Sequence, residues 1–466
     1  MSIQGALNTA VSGLGAQSAA FSNISDKVAN SQTVGFKGVD TAFSDYLTTS
    51  SATVNDPGTV VAAPQYTNTV QGTITQSTNS LALAVSGQGF FDVSQSTGTN
   101  TSGATVFGTQ QYFTRDGDFQ VNSSGYLTND ANQYLNGYVT NAAGVLNKSA
   151  VVPIQVSQTV YQPVATQTMT MAANLPAGLV STVTESGTGV VTAMYDSSGN
   201  QLPAIQPETQ VYDSQGTAHT IQYTWAPQPS TAATGSTITS GVTANTWVVD
   251  AVLDPTTSNT DLGSVVATFG SNGTLQTITN PSGGTAAAPS VGTSTTAGTV
   301  TYNTGLSTAT GTQNITLSLG NFGATNGVTQ FSASSFTLRG LSQDGVPPGS
   351  FTGISTESSG NIYANYDNGQ TRLIAQVPLA TFANADALQS QNGSSYTATL
   401  QSGNPTLQDA ATNGAGKLVT SSVESSNVDI ATEFTKLIVA QQAYTANTKV
   451  VTTADQLMQS TINMKT

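Results

Sequence analysis

The sequence predicts a mainly β fold with terminal α-helices and discontinuous, nested domains: a helical coiled-coil terminal domain plus two β-rich, barrel- or sandwich-like domains. Three observations carry this. Both ends bear apolar residues at alternating intervals of four and three. The interior alternates over short segments split by Gly and Asn turns, and Lys and Arg are missing between Lys148 and Arg339.

Taking the ends first, Ile430, Phe434, Leu437, Gln441, Tyr444, Thr448, Val451, Asp455, Met458 and Ile462 form a heptad seam with polar interruptions. Ile3, Leu7, Ala10, Leu14, Gln17, Phe21, Ile24 and Val28 repeat the rhythm at the other end. Ser426 with Asp429 fits a capping box, and Lys465 stands where the helix dipole favours a cation. A second apolar row of Val450, Ala454 and Leu457 gives the last helix more surface than one partner covers, which points to an assembly. Gly5, Gly13, Gly15, Ala16, Ala19 and Ala20 permit close backbone approach. The competing reading is an ordinary amphipathic helix packed on its own domain.

Between the helices the chain nests. Residues 1–30 and 426–466 are the terminal helices, and 31–71 and 380–425 read as irregular connectors, with a turn at Asn55-Asp56-Pro57-Gly58. Residues 72–160 and 336–379 form a first β domain. The cation-free, Thr-, Ser- and Gly-rich stretch 161–335 is an inserted outer β domain, with loops expected around 230–245 and 280–312. Within it, residues 209–213, 219–225 and 247–253 alternate as strands do.

Composition bounds the function. At 466 residues there is room for several domains, yet only 7% of residues are charged, and the net charge of −14 argues against nucleic acid and anionic membranes. There is no cysteine, hence neither disulfide nor thiolate metal site, and no segment is apolar enough to span a membrane. The first basic residue is Lys27, so a Sec-type leader with its basic start is not expected, and export would use another route.

Chemistry-bearing motifs are weak. His219, the single histidine, has Asp213 nearby but reads as a surface strand residue rather than a triad member. Asn413-Gly414-Ala415-Gly416-Lys417 lacks the first Gly and the final Ser or Thr of a phosphate loop. Arg115-Asp116-Gly117-Asp118 has too few ligands for Ca²⁺ and reads as a turn with solvated charges. No catalytic, cofactor-binding or metal residue is assigned.

The terminal segments carry a resemblance. Asn23-Ile24-Ser25-Asp26-Lys27-Val28-Ala29-Asn30 with Gly35-Phe36-Lys37 resembles the N-terminal signature of bacterial flagellar rod, hook and hook-associated axial proteins. Asn427, Gln441, Tyr444 and Asn447 fall in stretches that resemble their C-terminal signature. Interior matches at 71–91, 112–127 and 344–384, with the large middle insertion, are most similar to the hook members. The resemblance implies a structural polymer of the flagellum and no enzyme: a curved, hollow tube joining motor rod to filament as a flexible torque coupling. Terminal helices would line the tube and β domains would form its outer layers. It implies as partners further copies of the chain, the hook cap, distal rod and hook–filament junction proteins, and the type III flagellar export apparatus, and it implies an extracellular place in the hook. A distal rod or junction protein, or a secreted β-rich adhesin, are the alternatives. Because isolated helices are marginal in water, the terminal pair is expected to be disordered in the free subunit and to order on assembly.

Overall fold

The computed structural model describes residues 3–50, 55–101, 103–141, 144–185, 191–231, 238–280, 289–308 and 311–464. It divides into two compact units, one formed by residues 1–158 and 351–466 and the other by 159–350.

The first unit begins with helix α1 (Ile3–Ala29) and ends with helix α2 (Ile430–Asn463). The two helices pack together, so head and tail of the chain meet. The helix starts where Asp429, rather than Ser426, supplies the cap: its Oδ1 accepts the backbone N–H of Ala431 at 2.9 Å, while the Ser426 hydroxyl is taken by Val428. At the other end of the pairing, Asn30 closes α1 by donating its side-chain amide to Asp26. Lys465 lies outside the described residues.

The first connector is not irregular. Strands β1 (Val39–Ser50) and β2 (Asn55–Tyr66) form a long antiparallel hairpin, from Val39 opposite Tyr66 to Ser50 opposite Asn55. Pro57 and Gly58, read as a turn, lie within β2, and the register slips around Pro57, where a ladder donor is missing. The hairpin packs on α1, where Thr9 Oγ1 donates to Gly58 O at 2.8 Å and Val60 N donates to Ser12 Oγ at 3.1 Å. An isolated two-stranded ribbon is marginal in water, so the helix is what supports it.

The rest of this unit is a curled sheet whose main path runs through strands 351–356, 361–366, 371–376, 133–139, 90–99, 112–114, 395–397 and 389–391. Leu83, Phe91, Phe119, Leu135, Ile154 and Leu379 are the centre of its core. The second connector also forms strands: residues 379–381 pair with 90–99 in this sheet, and 417–420 pair with 83–86 in a separate two-stranded ribbon.

In the inserted unit, two sheets share one core that includes Met169, Tyr223, Trp225, Trp247, Tyr302 and Leu317. The strand Ile238–Leu253 is central to one sheet. It pairs with 182–185, 218–229 and 260–269, and Trp247, Val249, Ala251 and Leu253 alternate inward as period two demands. In the other sheet, residues 168–174 run parallel to 311–321 and antiparallel to 337–343. That last pairing draws 336–350 into the inserted unit, so the first β unit resumes at Phe351 rather than at 336. Residues 297–308, where a loop is expected from composition, instead pair with 311–321 as a hairpin. Thr is β-branched and suits a pleated surface, and Val300, Tyr302, Ile315 and Leu317 give that hairpin an inward face. Residues 232–237 and 281–288 lie outside the described residues.

Candidate assembly surface

The helix pair is built on small residues and one charge cluster. On α1, Ala10, Ala16, Ala20, Ile24 and Lys27 are buried, and Leu7, Leu14 and Val28 are half-buried. On α2 the covered face runs through Glu433, Leu437, Ala440, Asn447, Val451, Ala454 and Met458. A Cβ on Gly13 would meet Asn447 Nδ2 at 3.0 Å, so the backbones approach closely where the signature Asn447 packs. Gly15 faces open space.

The predicted seam divides between two environments. Leu437, Val451 and Met458 lie on the covered face. Ile430, Phe434 and Tyr444 do not, and together with Ile438, Val439, Val450 and Leu457 they are 39 to 60% exposed. Phe21 of α1 is also exposed, and beside it a groove of about 490 Å³ lies between the helices, lined by Gln17, Phe21, Ala440, Gln441 and Tyr444. The side chains of Ile3 and Ile462 lie outside the described residues. The seam mixes the two faces because a four-three rhythm identifies an apolar stripe without saying which of two adjoining stripes meets the chain's own partner.

Below the pair, Lys27 is buried and bonded to both Asp40 of β1 and Glu433 of α2, the latter at 2.8 Å. Lys436 closes the ring, at 3.1 Å from Asp40 and 2.9 Å from Glu433. Two cations and two carboxylates thus tie both helices to the hairpin with no net charge. Burial opposes ionisation of Asp40, but hydrogen bonds from Lys27 and Lys436 outweigh it and hold its carboxyl below the usual range. Burial likewise works against charge on Lys436, and the same two carboxylates overcome it, raising its ammonium above its ordinary value. Asn23 adds a neutral link, donating to Thr41 Oγ1 at 2.9 Å.

A second knot joins the connectors to the first sheet. Glu424 is fully buried, and its carboxylate accepts from Lys37 Nζ at 2.5 Å, Arg115 Nη1 at 2.9 Å and the Gly72 N–H at 2.8 Å. Arg115 also donates to Gly87 O at 2.8 Å and lies 5.0 Å over the Phe90 ring. Burial pulls the Lys37 ammonium below its ordinary value, although Glu424 opposes this. The Arg115-Asp116 segment is therefore no solvated turn. Its cation is recruited by a carboxylate more than three hundred residues away, which local turn chemistry cannot reveal. Asp116 is buried beside it, and that burial pushes its carboxyl up to about 6.

The N-terminal signature explains itself at this knot. Gly35 adopts φ +67°, and a Cβ there would lie 2.4 Å from the Asp116 amide nitrogen, so only glycine lets the chain pass. Its N–H donates to Glu424 O at 2.7 Å. Phe36 O accepts the Asn427 N–H at 3.4 Å, while Asn427 Oδ1 accepts the Gly38 N–H at 2.9 Å and its amide reaches Thr67. Ala29 ends α1. The signature residues Asn30, Gly35, Phe36, Lys37 and Asn427 thus lie along one junction.

Elsewhere the geometry offers little chemistry. His219 Nδ1 lies 2.7 Å from Asp254 Oδ2, and Asp213 is 3.8 Å from its other nitrogen, so the ring bridges two turns of the inserted unit. Among the described residues no group of three or more His, Cys, Asp or Glu could hold a metal ion. Among the described residues no helix is long and apolar enough to cross a membrane.

Residues 419–464 match the family model "Flagellar basal body rod FlgEFG protein C-terminal", and 190–346 match "Flagellar basal body protein FlaE D2 domain". The flagellar hook protein of Brucella abortus biovar 1 is 28% identical over 471 residues, covering 100% of both chains. That of Salmonella typhimurium is 28% identical over 467 residues, covering 98% of this chain and 99% of the relative. That of Escherichia coli K12 is 28% identical over 475 residues, covering 99% and 100%. A crystal structure of a Helicobacter pylori hook protein aligns with a TM-score of 0.44 at 16% identity, over 74% of this chain and 98% of that one. End to end the chain is similar to flagellar hook proteins, and its last helix and its inserted unit separately match family models of flagellar basal-body proteins.

Proposed function

We propose that the chain is the structural subunit of the flagellar hook and polymerises through its terminal helices into a curved, hollow tube that passes torque from rod to filament. The observation that carries this is the apolar surface of α2: seven large side chains, from Ile430 to Leu457, are 39 to 60% exposed on a helix already paired with α1. Large apolar side chains left in water on more than one side of a helix that already has one partner point to further partners. Further copies of the same chain are its natural cover, since each brings the same unpartnered helix pair. The seam residues and the groove at Phe21 and Tyr444 then belong to the contact between copies, and the two charge knots hold each subunit's helices to its sheets.

On this reading the hook cap, distal rod and hook–filament junction proteins meet the two ends of the polymer. The subunit reaches its extracellular place through the flagellar type III apparatus. Neither catalysis nor a cofactor has a part in the mechanism.

The test is electron microscopy of cells lacking the chain, with rods intact and hooks missing as the expected picture, together with polymerisation of the purified chain. A straight polymer would assign the chain to the rod, and a chain that stays monomeric under all assembly conditions would overturn the proposal.

A further inference from the structure

We infer that Leu400 is a preformed knob that seats on a second copy of this chain, an inference that rests on the polymer reading above. Leu400 is 101% exposed, so its whole side chain faces water. The backbone beneath it is held firmly. Thr399 and Ser402 cap each other, with Thr399 N donating to Ser402 Oγ at 2.9 Å and Ser402 N donating to Thr399 Oγ1 at 3.1 Å. Ser402 is fully buried, Thr399 Oγ1 donates to Ala387 O at 2.8 Å, and the Asn384 N–H donates to Ser402 O at 3.2 Å. The loop that receives these bonds is itself pinned. Asn68 donates to Ala385 O at 3.0 Å, and Thr69 donates to the Asp386 carboxylate from both its N–H and its hydroxyl.

A leucine left wholly in water on a flexible loop would carry no message. On a turn fixed by reciprocal hydrogen bonds it is already in its bound geometry, so docking costs little ordering entropy. Charge identifies the partner. Residues 387–408, which contain the knob, include no Asp, Glu, Lys or Arg, and the flanking Asp386 and Asp409 are engaged by Thr69 and Lys148. Two chains that each carry a net charge of −14 repel, and they meet most favourably through neutral patches of this kind. A basic partner would instead be met by the acidic surface that this stretch lacks.

The chain contains no cysteine, so Leu400→Cys supplies a single thiol in the full-length protein. We expect maleimide to label it freely in the monomer and at least ten-fold more slowly in the polymer. Leu400→Gln should leave the monomer's unfolding curve unchanged, since the side chain is wholly exposed, while raising the critical concentration for assembly roughly ten-fold or more, as loss of one buried leucine implies. Equal labelling in monomer and polymer, or an unchanged critical concentration, overturns the knob and leaves the polymer reading standing. Failure of the unsubstituted chain to assemble overturns both.

Discussion

At the scale of single residues, buried charges dominate, and they make sharp predictions in a chain with only ten Lys and Arg. Glu424 neutralises two cations at once, so Glu424→Gln leaves Lys37 and Arg115 facing each other without an anion. Urea denaturation should show a loss of about 3–5 kcal/mol, the range for breaking a buried ion pair from one side. Lys37→Met, which keeps the Arg115–Glu424 pair, should cost less. Asp92 gives a different signal. It is fully buried, accepts one hydrogen bond from Asn136 at 2.7 Å, and has its Oδ2 unpartnered among the described residues. Burial raises its carboxyl from 3.8 to about 6 despite that bond. A raised carboxyl contributes stability below its unfolded value and loses it as pH climbs through the folded one. Together with Asp116, it should make the first unit more stable at pH 5 than at pH 7. Asp92→Asn should flatten that slope and add up to about 3 kcal/mol at pH 7. Asp40 acts with the opposite sign and in a lower window. Its depressed carboxyl stabilises above the usual carboxylate value, and that support fades only as pH falls through its folded value.

At the scale of elements, the terminal helices and the alternating strands of the inserted unit were legible in the sequence, because periodicity is a local property. Leu14 and Leu437 sit near the pair's interface as the rhythm implies, whereas Phe434 and Tyr444 carry the same rhythm and face outward. What the sequence hid was long-range. The hairpin at 39–66 does not look like a stable element because its support comes from α1, and Arg115 looks like a turn residue because Glu424 is remote. The helices themselves are joined mainly by small side chains and one charge ring, so the pair is expected to open more readily than the sheet core of its unit. Hydrogen exchange on the free subunit should therefore find the amides of Leu14 and Leu437 far less protected than that of Leu135 in the sheet core. Comparable protection would remove the expectation that the pair orders on assembly. Asp429→Ala should lower α2 helicity further, by about 1 kcal/mol, through loss of the cap.

At the scale of the whole molecule, two units with separate cores should unfold as separate events. Both tryptophans, Trp225 and Trp247, are buried in the inserted unit, whereas both long helices belong to the other. Tryptophan fluorescence therefore reports on the inserted unit alone. Glu424→Gln, which acts in the other unit, should leave the fluorescence transition in place, and a shift of that transition would mean that the units fold as one. The poverty of charge also bears on a flexible joint. Few directional ion pairs can form on such a surface, and hydroxyl and amide contacts exchange with water at small net cost, so in the proposed polymer neighbouring copies would slide between contacts of similar energy. The cation gap from Lys148 to Arg339 has one more consequence, for anyone who handles the protein. Trypsin cuts only after Lys and Arg, so it has no site in the 190 residues between those two, which make up nearly all of the inserted unit. Digestion should release that unit as one large acidic piece while the remainder is reduced to peptides.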